Sequence, residues 1–210
     1  SQPEPDNSSM DVDSEDEFVA IHPEISVNVT MNSENESEES KSKKVSKSKE
    51  EYSQKKVNEQ FSDLTTHEAR IKRSFARLKN QFDTLKTPTE IVFANSNFNY
   101  NATCYNESIL VGLERYIGAN HPLVVETLNP TDFPEWIRNG MEENFMDRDI
   151  LSSWISTKLF KETQGYHIEE MIRWGKIHLI TEMCLRLDNE DIPTSQVLRW
   201  SKDQYDWANS

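Results

Sequence analysis

The sequence predicts an all-α protein in three parts: a disordered acidic tail over residues 1–47, a long heptad-patterned helix over residues 48–87 and a C-terminal multi-helix bundle over residues 88–210. Three observations lead to this prediction. Residues 1–40 contain 12 Asp and Glu but no Lys or Arg, apolar residues recur in steps of four and three from Val57 to Leu85, and all five tryptophans follow residue 135. These patterns are typical of an unfolded tail, a coiled coil and a packed core, respectively.

The tail combines a high negative charge with few large apolar residues, a composition that cannot offset the entropy of ordering its backbone. One apolar island, Phe18-Val19-Ala20-Ile21, follows a run of Asp and Glu. It resembles a SUMO-interacting motif, which adds as an extra strand to the sheet edge of a partner. We therefore expect Phe18, Val19 and Ile21 to bind a partner. The alternative is a chance apolar cluster. Ser14 and Ser37 precede acidic residues and are candidate phosphorylation sites.

The tail ends in a Ser-interleaved basic cluster. It contains Lys41, Lys43, Lys44, Lys47 and Lys49. Such clusters direct nuclear import or contact phosphates, although a solvated charged run at a helix start has the same composition. Cys104 and Cys184 match neither a disulfide framework nor a zinc pattern and indicate reduced thiols. We therefore expect a nuclear protein, with the cytoplasm as the alternative location.

The heptad-patterned segment carries eight apolar side chains at the a and d positions of four repeats. They are Val57, Phe61, Leu64, Ile71, Phe75, Leu78, Phe82 and Leu85. The segment contains no Gly or Pro before Pro88, where a helix would end. We expect a coiled coil that forms a homo-oligomer or, because the lysines at e face no acidic residues at g, a hetero-oligomer. The alternative is an amphipathic helix that packs on the chain's own domain.

The same helix has a basic flank at Arg70, Arg73 and Arg77. Together with the lysine cluster, this flank supports an alternative function in which residues 41–86 bind the phosphates of a nucleic acid. The net charge of the whole chain, −14, opposes such binding, so nucleic acid is expected only as a secondary partner.

The C-terminal part shows helix signals at regular intervals. Asn106 can cap a helix over residues 106–117, and a second helix can follow over residues 122–128. Asp147 or Asp149 can begin another. Residues 166–187 are apolar nearly all round, so we expect them to form the central, buried helix.

The terminal helix carries Trp200 and Trp207, which are seven residues apart and therefore lie on one face. The two rings either clamp this helix to the core or form an exposed anchor for a partner. We take both as candidate partner-binding residues.

No catalytic or metal-binding motif emerges from the sequence. His178 and Glu182 are one helical turn apart, but one turn supplies only part of a metal shell, and a surface ion pair is the simpler interpretation. Only five glycines are present and none forms a phosphate loop, so we expect no cofactor, no metal and no enzymatic activity. No apolar run approaches the roughly 18 residues of a membrane span, so no membrane contact is expected.

These features together predict a non-enzymatic adaptor or assembly subunit of a nuclear complex. It would oligomerise through the coiled coil and dock protein partners through the Trp-rich helical domain. The alternatives are a nucleic-acid-binding protein that uses residues 41–86 and an enzyme with an unrecognised site in the helical domain. A polar pocket containing His167 or His178 would favour the enzyme.

Overall fold

A computed structural model describes residues 20–22, 52–162, 165–185, 199, 202–208 and 210. The helices and strands, in chain order, are β1 (Ala20–His22), α1 (residues 52–60), α2 (Thr65–Gln81), β2 (Glu90–Ala94), β3 (Ala102–Tyr105), β4 (Ser108–Gly112), α3 (Pro122–Thr127), α4 (Glu135–Arg138), α5 (Met146–Lys158), α6 (His167–Leu185) and α7 (Lys202–Ala208). Two 3₁₀ turns, Leu113–Tyr116 and Glu143–Phe145, follow β4 and precede α5. Apart from β1, the predicted disordered tail lies outside these described residues.

A four-stranded mixed sheet overturns the prediction of an all-α protein. Its strand order is β1-β2-β4-β3, with β1 and β4 parallel to β2 and with β3 antiparallel to β4. The β-prone run Ile91-Val92-Phe93 lies in β2, where Ile91 and Phe93 are buried and their neighbours are half-buried. This alternation is the pattern of a strand with one face against the core.

The helix predicted over residues 106–117 is wrong, because this segment forms a hairpin strand and a 3₁₀ turn. Asn106 adopts a positive φ of 54° in the turn between β3 and β4. Asparagine tolerates this left-handed conformation, so the residue that was expected to cap a helix makes a hairpin turn instead. The apolar run that follows, Ile109 to Val111, pairs with β2 on one side and with β3 on the other.

The predicted long coiled-coil helix is also wrong, because the heptad segment is broken at residues 61–64 into α1 and α2. Asp63 accepts a hydrogen bond from the Thr65 backbone N–H at 2.9 Å, which stabilises the new helix start. The apolar side chains at the predicted a and d positions face the chain's own core. Val57, Phe61, Ile71, Phe75 and Leu78 are buried, and Leu64, Phe82 and Leu85 pack against the same core.

Helix α5 lies at the centre of the fold. It contacts β3 and β4 on one side and α2 and α6 on the other. Trp154 of α5 is fully buried, lies edge-to-face with Phe75 of α2 at 6.3 Å between ring centroids, and donates to the Lys86 carbonyl oxygen at 3.0 Å. This edge-to-face pair joins α2 to α5, which packs against the sheet.

Helix α6 is present where a helix was predicted, but it is not the buried centre. Its inward face consists of Arg173, Ile177, Thr181, Cys184 and Leu185. Most of its other apolar side chains are exposed, since α5 covers the core in its place. Among the described residues, no helix is both long and apolar enough to cross a bilayer.

Candidate functional site

Two carboxylates in the first turn of α5 organise the polar interior of the protein. Asp147 and Asp149 are each only 3% exposed. Because they are two residues apart on a helix, their side chains point in directions about 200° apart. Each carboxylate therefore collects partners from a different part of the fold.

Asp149 is the centre of a buried group that we call the Asp149 cluster, which consists of Asn101, Tyr116, Arg148, Asp149, His178 and Arg199. The Asn101 amide and the Tyr116 hydroxyl donate to Asp149 Oδ2 at 2.9 Å and 3.0 Å. Arg199 donates to the same oxygen, while Arg148 Nη1 donates to Oδ1 at 2.7 Å. Both oxygens of Asp149 are thus occupied by donors from four different segments.

His178 and Tyr116 hold defined protonation states in this cluster. Burial, together with the positive charge of Arg148, lowers the pKa of His178 to about 4. The imidazole is therefore neutral near pH 7, and its Nδ1 lies 3.2 Å from Arg148 Nη2 as an acceptor. Burial and the negative charge of Asp149 raise the pKa of Tyr116 well above 10.0, so its hydroxyl remains a donor.

Asp147 points to the other side of α5 and binds α2. His67 Nδ1 lies 2.7 Å from Asp147 Oδ1, Arg70 donates to Oδ2 at 2.7 Å, and His67 Nε2 lies 3.1 Å from Glu143. Burial opposes a charge on the imidazole, but the bonds to Asp147 and Glu143 outweigh this effect and raise the pKa of His67. The two carboxylates thus favour the protonated form of the His67 imidazole, which lies between α2 and the start of α5.

A third buried carboxylate, Glu114, shapes the loop between β2 and β3. Its Oε1 accepts from the backbone N–H groups of Ser96 and Phe98 at 2.7 Å and 2.8 Å, and also from the Ser96 hydroxyl. Asn97 and Phe98 both have positive φ, at 52° and 62°. For Phe98 this conformation is unfavourable, so the donors that converge on Glu114 hold the loop in a strained shape.

Most of the polar side chains in this arrangement are paired with one another. His178 is neutral, Asp149 has both oxygens in hydrogen bonds, and burial raises the pKa of the Cys184 thiol to about 11. Within the described part of the chain, no group of three or more His, Cys, Asp or Glu side chains could hold a metal ion. The geometry fits a rigid polar interior that orders the surrounding elements.

None of the predicted contact residues that the structure describes belongs to the Asp149 cluster. Phe18, Val19, Trp200 and the lysines at 41, 43, 44, 47 and 49 lie outside the described residues, and Ile21 lies in β1. Arg70 binds Asp147, Arg77 donates to the Cys184 carbonyl oxygen at 2.7 Å, and Arg73 is exposed. Trp207 of α7 is 80% exposed.

Sequence reasoning missed the central carboxylates. Asp147 and Asp149 were interpreted as ordinary helix caps, and Glu114 was placed inside a helix that does not form. The only available signal was the occurrence of two acidic residues in the sequence Met-Asp-Arg-Asp at a helix start followed by an apolar run. This signal does not identify the partners of the two carboxylates. Most of these partners lie between 33 and 80 residues away in the sequence.

The outer face of α6 carries a row of exposed apolar side chains among the residues that the structure describes. Side chains spaced at helical intervals along it are between 48% and 59% exposed: Ile168, Met171, Ile172, Leu179 and Met183. Gly175 lies on the same face, and a Cβ placed there would meet no heavy atom within 4 Å. Large contiguous apolar areas on a protein surface commonly mark interaction sites.

Comparison with known proteins gives one finding. A family model described as gliding motility protein GldB matches residues 6–210. No curated protein and no solved structure matches the chain.

The matched family is one of bacterial envelope lipoproteins, so several predictions made from the sequence are wrong. A nuclear location and a role as a subunit of a nuclear complex are excluded by this match. The lysine cluster was a weak basis for nuclear import because short basic runs are common in solvated segments of any protein. The coiled coil is excluded by the packing of its apolar residues in the core.

Proposed function

This chain belongs to the family of gliding motility protein GldB, and from that membership we propose that it is a component of the gliding-motility apparatus at the bacterial cell envelope. The observation that carries the proposal is the extent of the family match, which spans residues 6–210 of 210. A match of this length includes the sheet, α5 and α6 together, and therefore the complete Asp149 cluster.

A non-enzymatic role is the second part of the proposal. The Asp149 cluster contains His178, which would favour an enzyme if it faced an unpaired acid or nucleophile. Instead its ring nitrogen faces the Arg148 guanidinium, and the Asp149 carboxylate is bound by four donors. A general acid or base needs a pKa near the working pH, and the pKa of His178 is about 4.

The protein acts by contact with other proteins of the apparatus, and the outer face of α6 is the surface we assign to this contact. Ile168, Ile172 and Leu179 recur at helical spacing, which is the pattern that an apolar helix of a partner recognises. The open space over Gly175 allows the backbone of a crossing helix to approach closely. The partner is therefore an apolar helix of another motility protein.

Genetic complementation tests the proposed function directly. In a gliding bacterium that carries this protein, deletion of its gene should abolish colony spreading, and the unaltered gene should restore it. A deletion strain that glides normally would contradict the proposal. Cell fractionation should recover the protein with the envelope, and recovery only in the cytosolic fraction would contradict the proposed location.

Two variants separate the contact surface from an enzymatic role. Replacement of Leu179 by Asp should prevent complementation at normal protein level, whereas Val125→Asp on α3, equally exposed at 55%, should complement. His178→Asn retains an acceptor for Arg148 and should also complement. Loss of gliding in His178→Asn with unchanged stability would instead support an enzyme.

A further inference from the structure

His67, in the first turn of α2, has a carboxylate oxygen at each of its two ring nitrogens. Nδ1 lies 2.7 Å from Asp147 Oδ1, and Nε2 lies 3.1 Å from Glu143 Oε1. A neutral imidazole carries one N–H and can donate to only one of these acceptors, whereas the protonated ring donates to both. Both contacts are therefore hydrogen bonds only while the ring is protonated.

The two contacts respond differently when the proton is lost. Asp147 is 3% exposed and also accepts from Arg70 at 2.7 Å. The Glu143 side chain is 52% exposed, so water can take the place of the ring there. Because removing a donor from a buried carboxylate costs more than returning an exposed one to water, the neutral ring keeps its N–H on Asp147. Loss of the proton therefore breaks the contact with Glu143, whose oxygen then faces the lone pair of Nε2.

The charged groups around this ring come from three elements. Asp147 belongs to α5, Glu143 to the 3₁₀ turn before α5, and Arg70 to α2 itself. Helix α6 also packs against α2, and its contact there joins the Cys184 carbonyl oxygen to Arg77, further along α2. Of the two carboxylates that bind the ring, only that of Glu143 is open to solvent.

The turn that carries Glu143 is anchored on both sides. Glu142 forms an antiparallel bridge with Ile117, and its carboxylate accepts from the Ala119 backbone N–H at 3.0 Å. Met146, which begins α5, is fully buried. A local opening of the turn is therefore confined to the 3 residues between these anchors.

We propose that His67 and Glu143 form a pH-sensitive switch. The protonated ring holds the turn of residues 143–145 on α2, and loss of the proton at mildly alkaline pH releases this turn. Release also reaches the Asp149 cluster, because the Phe145 ring of the turn lies 4.8 Å from the Arg199 guanidinium. Histidine changes its charge close to neutral pH, so a small change in pH is sufficient.

The direction of the switch agrees with the electrostatics of the ring. Burial lowers the pKa of His67, but the hydrogen bonds and negative charges of Asp147 and Glu143 outweigh this effect and raise it above 6.5. The closed turn is therefore favoured below pH 6.5 and is lost as the pH rises through the folded value.

Native-state hydrogen exchange of the full chain, followed by NMR, tests this inference. The backbone N–H groups of Phe145 and Met146 donate to the carbonyl oxygens of Glu142 and Glu143, so their protection reports whether the turn is closed. After correction for the intrinsic pH dependence of exchange, this protection should fall at least about ten-fold between about pH 6 and pH 9, as expected for loss of a hydrogen bond to a charged group. Glu135→Gln, which removes an exposed charge on α4, is the matched control and should show the same fall.

Two variants should abolish the pH dependence of this protection. His67→Gln has no titrating ring. In Glu143→Gln, the side-chain amide can donate to the neutral Nε2 or accept from the protonated one, and the half-exposed position makes misfolding of this variant unlikely to interfere. A pH-dependent fall in either variant comparable to that of the unaltered chain, or constant protection in the unaltered chain, would overturn the proposal.

The ring signals of the histidines in the same samples identify the titrating group. The His67 ring should titrate above pH 6.5 in the unaltered chain and at a lower pH in Glu143→Gln, because one of its two negative partners is removed. A midpoint at or below pH 6.5 in the unaltered chain, or one that Glu143→Gln leaves unchanged, would equally contradict the switch.

Discussion

Asp147 and Asp149, two residues apart in the first turn of α5, bind donors on opposite sides of that helix: Asp147 binds His67 of α2, and Asp149 binds Tyr116 beyond β4. Through these two side chains, one helix start binds α2 on one side and Asn101, Tyr116 and Arg199 on the other. Acidic residues in the first turn also complement the helix dipole, so their charges are favourable at this position. The fold therefore depends on the polar start of α5 as well as on its apolar body.

Asp149→Asn should lower the free energy of unfolding by about 3 kcal/mol, because it leaves Arg148 and Arg199 without their buried counter-charge. Chemical denaturation of the purified protein measures this change. Asp203→Asn on the exposed face of α7 is the matched control and should alter stability by no more than about 0.5 kcal/mol. Equal effects of the two substitutions would contradict a central role for Asp149.

The His67 bridge should stabilise the fold at low rather than at high pH. The pKa of His67 is raised above 6.5 in the folded state, so its contribution is fully present below pH 6.5 and is lost as the pH rises through the folded value. His67→Gln should therefore cost about 1–3 kcal/mol near pH 6 and progressively less above it. Urea unfolding of both proteins between about pH 6 and pH 9 checks this trend, and a difference that stays constant with pH would contradict it.

His178 should have the opposite pH dependence. Its pKa is lowered from 6.5 to about 4, so the folded state resists protonation that the unfolded chain accepts. The stabilising effect is present above pH 6.5 and is lost as the pH falls toward 4, by up to about 3 kcal/mol. His178→Asn should remove this part of the acid sensitivity. If the unfolding midpoints of both proteins fall in parallel between these pH values, His178 is not the titrating group.

Several elements of this fold could be predicted from local signals. Helix α3 begins at Pro122, α5 has a pair of aspartates in its first turn, and the apolar run of α6 has a helical length. Such features depend only on neighbouring residues, so a single sequence contains them. The regular spacing of apolar residues from Val57 to Leu85 also has a structural role, since these residues are buried or packed against the core.

The spacing of these apolar residues does not determine which surface packs against them. A stripe of Phe and Leu packs equally well against a second copy, a partner or the chain's own domain, and only the tertiary structure identifies Trp154 as the neighbour of Phe75. For β4, three successive apolar residues from Ile109 fit a buried strand as well as a helix. Three of the Asp149 partners, Asn101, Tyr116 and Arg199, lie 33 to 50 positions away in the sequence, and no local pattern indicates such pairings.

Two glycines provide a final prediction, because one lies in a closely packed position and the other in open space. A Cβ at Gly112 would meet the Tyr100 carbonyl oxygen and the Ser96 hydroxyl, which belong to the strained loop that Glu114 holds. Gly112→Ala should therefore destabilise the protein by at least about 2 kcal/mol, within the range for overpacking of a core. Gly175→Ala, inside α6 with no atom nearby, should stabilise it by about 0.5–1 kcal/mol through helix propensity alone.

Thermal or chemical denaturation of the two alanine variants tests both signs at once. Neither stability change depends on a partner, so a further variant of Gly175 is needed to probe the outer face of α6. Gly175→Trp should leave the isolated protein folded yet fail to restore gliding, since the ring fills the space that a crossing helix requires. Full complementation by Gly175→Trp at normal protein level would show that the contact lies elsewhere on the molecule.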